Sequence, residues 1–147
     1  LADSHHEHIF IMKRITLLVL GLFLGALTSA ANADPPVVVS DGWTRPSLGG
    51  TASIYATISN EGATPLRLIG AMTPGAKGVE LHDPAKGTGA VAALVIPPHG
   101  SLTLAPNGPY IQLTGLASDL QPDGALLARL HFEGVGWIVT IVKVRTT

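Results

Sequence analysis

The sequence runs to 147 residues, 46 % of them apolar and 13 % charged, with a mean hydropathy of +0.39. It is too apolar and too poor in charge for a disordered chain, and a net charge of −1 leaves no basic surplus to neutralise nucleic-acid phosphates. Cysteine is absent, which removes disulfides, thiolate catalysis, zinc–thiolate sites and iron–sulfur clusters, while 17 glycines and 11 prolines predict a turn-rich, all-β domain.

In chain order, Leu1–Ile11 precede a basic start, Met12-Lys13-Arg14, and are expected to be an upstream, non-native extension. Its His5-His6-Glu7-His8 has the ligand types of a metal clip but is assigned no role. The apolar stretch Ile15–Leu27 is 13 residues long, below the roughly 18 of a membrane-spanning helix. Small residues follow, ending in Ala31-Asn32-Ala33. Residues 12–33 therefore read as a secretory signal peptide, with an uncleaved membrane anchor as the rival reading. Residues 34–147 are expected to form one exported domain.

Within it, Val37–Val39 is a β-branched run. Thr51–Asn60 alternates, with Ala52, Ile54, Ala56 and Ile58 facing one way, as in a strand with one buried face. Short strands are predicted at Leu66–Ala71, Val79–His82, Ala90–Ile96, Ser101–Leu104 and Tyr110–Leu113, separated by Pro/Gly/Asn turns. One turn of helix is expected around Leu116–Leu120. Ala125–Phe132 alternates with Leu126, Ala128, Leu130 and Phe132 inward, and Trp137–Val144 closes the domain. No long amphipathic helix separates strand pairs, so a parallel βαβ sheet is disfavoured. Eight or nine short antiparallel strands fit a Greek-key β-sandwich.

Chemistry-bearing motifs are sparse. There is no G-x-S-x-G elbow, phosphate loop, H-E-x-x-H or EF-hand pattern, so no enzyme is expected. The domain has three histidines: His82, His99 and His131. His131 falls on an outward strand position and His99 in a turn. His82 ends a strand before a loop, where binding residues tend to sit, and Glu80 shares its strand face. That pairing can orient an imidazole or can be ordinary surface polarity.

Several segments, in order, resemble the PCu(A)C-type periplasmic copper chaperones. They are Gly42-Trp43-Thr44-Arg45-Pro46, Ala52–Asn60, Leu66–Ala71, Val79-Glu80-Leu81-His82, Ile96-Pro97-Pro98-His99-Gly100, Leu113-Thr114-Gly115-Leu116 and Phe132–Gly136. The resemblance implies a cupredoxin-like sandwich in the periplasm that handles copper for oxidase copper centres. It further implies a copper-donor or copper-acceptor protein as partner, and no membrane partner for the mature form. The family's copper motif is a His, often followed by Met, then a further Met, then His-x-Met. Here His82 stands at the first His, Asp83 at the optional Met, and Tyr110-Ile111-Gln112 at His-x-Met. Met72 is the domain's only sulfur, and a hairpin from it to Val79–His82 would pair it near Val79 rather than His82. His82, with Asp83, Tyr110 and Gln112 as motif-position neighbours, is thus the expected metal site. Its harder N/O donors suit Cu(II) or Zn(II) better than Cu(I), so copper is expected weakly bound or absent. The alternative is a non-metal-binding interaction module on the same sandwich, distinguished by an apolar patch over the site instead of a polar cluster converging on His82.

Overall fold

Alternation of apolar and polar residues becomes ten strands and a single 3-10 turn among the described residues. The strands are β1 (Val37–Thr44), β2 (Gly50–Asn60), β3 (Leu66–Met72), β4 (Gly78–His82), β5 (Ala90–Val91), β6 (Leu94–Ile96), β7 (Ser101–Thr103), β8 (Tyr110–Leu116), β9 (Ala125–Phe132) and β10 (Gly136–Val144). The computed structural model describes residues 35–146; the expected extension (1–11) and signal peptide (12–33) lie outside the described residues.

Hydrogen bonding links the strands in the order β5-β4-β8-β2-β1-β10-β9-β3-β6, with β7 pairing β2. The long strand β2 serves both layers. Its first half pairs β8 (Ala52↔Leu113, Ile54↔Ile111), and its second half pairs β1 and β7. Between the layers lie Ile54, Ile58, Leu68, Ile96, Leu104, Ile111, Leu113, Leu130, Phe132 and Val142. Burying each such side chain contributes about 1.5–3 kcal/mol. With no disulfide available, this core and the strand ladders hold the fold.

Two local devices fix the layers. Asn60, 2 % exposed, ends β2 and ties a corner together. Its Nδ2 donates to the Thr64 and Ile96 carbonyls at 2.8 and 3.2 Å, and its Oδ1 accepts from the Gly62 N–H at 2.9 Å. Gly42 lets β1 close on β10, because a Cβ there would lie 2.8 Å from the Ile141 carbonyl oxygen.

Four features differ from the sequence-based expectation. β1 pairs β10 in parallel (Trp43↔Lys143), not antiparallel. β3 and β4 form no hairpin, since β3 pairs β6 and β9 whereas β4 pairs β5 and β8. The run Ala90–Ile96 is not one strand but two, and they pair in different layers. Around Leu116–Leu120 the chain extends instead of coiling. Ser47 and Leu120 exchange both backbone hydrogen bonds there, satisfying groups that a helical turn would have used.

Candidate metal site

Strand alternation assembles the site. Leu81 and Ile111 enter the core at 4 % and 0 % exposure, so Glu80, His82, Tyr110 and Gln112 share the outer face of β4 and β8. Antiparallel register sets His82 opposite Tyr110 and Glu80 opposite Gln112. The phenol ring stacks flat on the imidazole, with centroids 5.0 Å apart and an interplanar angle of 4°. Glu80 Oε2 lies 3.0 Å from His82 Nε2. Together these leave the His82 side chain 11 % exposed while Glu80 stays 52 % exposed. On the other flank His82 faces Ala90 of the two-residue edge strand β5, which offers only a methyl group.

This arrangement holds the imidazole rigidly and sets a carboxylate oxygen beside it. Two ligands each about 2.0–2.2 Å from one ion, at an angle near 90–100°, lie roughly 3 Å apart. The His82–Glu80 pair has that spacing, so it can hold one ion as an N/O chelate. Equally, the carboxylate can fix the ring by hydrogen bonding, as outer-shell partners of metal-binding histidines do.

Three of the four sequence-expected residues come together: His82, Tyr110 and Gln112. Asp83 does not join them. Its Oδ1 accepts from Ala85 N at 3.1 Å, capping the 3-10 turn Pro84–Lys86, and its Oδ2 lies 4.0 Å from Lys86 Nζ. Glu80, read from the sequence as either orienting or ordinary, is the direct polar partner of His82; its i, i+2 spacing on a strand was the available signal. Met72 stays apart. It lines an open cleft of about 500 Å³ with Val79 and Arg129, at the opposite end of β4. His99 sits in a turn at φ 50°, and His131 stacks on Trp137 with centroids 4.4 Å apart. Among the described residues no group of three His, Cys, Asp or Glu side chains could hold a metal ion. The exposed apolar side chains Leu127, Trp137, Val139 and Ile141 lie on β9 and β10, not on the His82 strands β4 and β8.

Residues 37–144 match the family model described as "LpqE-like: Putative lipoprotein LpqE-like". A curated protein of Leifsonia xyli subsp. xyli, named a "Putative lipoprotein", is 27 % identical over 131 residues, covering 81 % of this chain and 79 % of that one. Among solved structures, the apo PCuAC domain from PmoF1 is similar at 29 % identity and a TM-score of 0.72, covering 78 % of this chain and 98 % of that one. The copper-bound PCuAC domain from PmoF2 gives 27 % and 0.68, covering 78 % and 97 %. The Cu(I)-bound DR1885 of Deinococcus radiodurans gives 25 % and 0.62, covering 82 % and 85 %. The all-β, cupredoxin-like sandwich is the fold of these PCuAC domains, and it stands as an isolated domain in the PmoF structures.

Proposed function

This chain belongs to the LpqE-like family, and from that premise we propose that it is an exported, envelope-associated copper-handling protein whose site is the Glu80–His82 pair. The observation that carries this reading is the polar convergence on His82: a carboxylate at 3.0 Å, itself half exposed, and a stacked phenol. Two of the similar solved proteins, the PmoF2 domain and DR1885, are copper-bound. Export is supported by the basic, apolar and small-residue pattern of residues 12–33 and by the lipoprotein description of the family.

The donor set defines the chemistry. An imidazole nitrogen and a carboxylate oxygen, without a thioether, favour Cu(II) over Cu(I). With two protein donors the ion is held loosely and near the surface. That suits transfer between a copper-donor and a copper-acceptor protein in the assembly of oxidase copper centres, and the protein is not an enzyme.

The test is competition titration of the isolated domain, Asp34–Thr147, with Cu(II) and Cu(I). The parent is expected to take one Cu(II) at least tenfold more tightly than His82→Ala, and to prefer Cu(II). Indistinguishable, weak binding by parent and variant would refute the reading. The domain would then stand as a non-metal interaction module, which the lack of any three-ligand group among the described residues favours.

A further inference from the structure

The outward face of the β9–β10 hairpin has no role in the copper site and is unusually apolar. Its exposed residues include Leu127, Trp137, Val139 and Ile141, at 44 %, 41 %, 56 % and 63 % exposure. Cross-strand register makes them contiguous: Ile141 faces Leu127, Val139 faces Arg129, and Trp137 faces His131. Met72, half exposed and opposite Arg129, extends the strip onto β3. The alternate residues of the same strands, Ala128, Leu130, Phe132 and Val142, fill the core, so the outward set is surplus to folding. A contiguous exposed apolar patch marks an interaction surface.

Charge on this face has one sign. Outward positions carry Arg129 and Lys143 among the apolar side chains, and no Asp or Glu. Neither cation is in an ion pair among the described residues; the Arg129 guanidinium lies 5.3 Å from the centroid of the Trp137 ring. The flanking carboxylates stand at the margins. Glu133, past the end of β9, is held by Arg67 at 3.3 Å. Asp123 borders the shallow pocket at the Lys143 end, and Asp41 sits on the irregular part of β1.

We propose that this face docks on an anionic lipid surface. Charge complementarity selects the occupant. A second copy seated on the same face would press cations against cations, whereas an anionic bilayer meets both components of the strip. Headgroup phosphates take Arg129 and Lys143, whose stems lie along apolar surface, and the acyl boundary takes Val139, Ile141 and Leu127. Tryptophan beside basic residues is the composition of interfacial anchors. The contact is peripheral, since no helix among the described residues is long and apolar enough to cross a membrane. It adds a membrane partner that the sequence reading does not expect, and none of the 147 residues is a cysteine able to carry a thioether-linked lipid.

The test uses the isolated domain with Trp43→Phe, leaving Trp137 as its only tryptophan. At low salt, vesicles containing phosphatidylglycerol should co-sediment the domain and shift Trp137 emission to shorter wavelength, while pure phosphatidylcholine vesicles should not. Val139→Ser/Ile141→Ser and, separately, Arg129→Gln/Lys143→Gln should each weaken binding at least tenfold. Far-UV circular dichroism and the copper titration should be unchanged, so failure here and failure of the copper reading are separable. Absence of co-sedimentation overturns the proposal, as does equal binding by folded variants. Binding to polyglutamate without binding to vesicles would assign the face to an acidic protein instead. A concentration-dependent dimer abolished by Val139→Ser/Ile141→Ser would assign it to a second copy.

Discussion

Replacing Asn60 by alanine tests whether a single buried amide holds the corner between β2 and β6. The side chain makes three hydrogen bonds, two as donor to Thr64 and Ile96 and one as acceptor from Gly62. Each net bond is worth about 1 kcal/mol, and a buried group left without its partner adds a penalty of about 1–3 kcal/mol. The bonds to Thr64 and Gly62 are partly buried and their backbone groups can regain water; the bond to Ile96 is fully buried. Asn60→Ala should therefore cost about 3 kcal/mol. Asn60→Asp is the sharper probe. It keeps the volume and the acceptor for Gly62 but sets a carboxylate against two carbonyl oxygens. At neutral pH it should cost at least as much as alanine. Urea unfolding of Asp34–Thr147, fitted as two states with a common slope, measures both. A loss below about 1 kcal/mol for Asn60→Ala, or a milder effect of aspartate, would refute this account of the corner.

Phe132, fully buried between the layers, should cost about 3–5 kcal/mol as alanine, read from the same urea midpoint. Gly42→Ala should cost about 1–3 kcal/mol, because its Cβ would force β1 away from the Ile141 carbonyl. A midpoint unchanged from the parent would remove the close-approach argument. Tyr110→Phe should keep the stack and leave Cu(II) affinity within about twofold, whereas Tyr110→Ala should lower it about tenfold; competition titration separates them. Glu80→Gln can still hydrogen-bond the ring but presents no carboxylate. An affinity loss of about 10–100-fold is expected, and full retention would mean that Glu80 is not a ligand.

How much was legible before the structure depends on the range of the interaction. Period-two alternation marks β2 and β9, and their inward residues Ile58, Leu130 and Phe132 are buried as expected. That pattern is set residue by residue, so a sequence displays it. Strand partners are not set locally. Thr73-Pro74-Gly75 can close a hairpin or begin a crossover, and here it begins a crossover because β9 pairs with β3 on one side. The run Ala90–Ile96 is apolar throughout, and no local signal marks where it changes layers. The site is intermediate. His82, Tyr110 and Gln112 were reachable through resemblance by motif position, and Glu80 through spacing. Asp83 lies off that face because strand neighbours alternate in direction, and Asp-Pro starts a 3-10 turn that its carboxylate caps.

The parallel seam between β1 and β10 has a consequence in time. Trp43 pairs Lys143, so the first strand of the domain finds that partner only after nearly all the rest has emerged. Until then β1 has one hydrogen-bonded edge satisfied by β2 and one bare, and folding is dominated by long-range closure, the slow regime for β proteins. A chain delivered through a narrow channel from its N-terminal end would thus stay unfinished, and threadable, until its last strand arrives. The same dependence makes β10 the latch: trimming it would reopen β1 and β9 together and leave two edges able to pair with other chains.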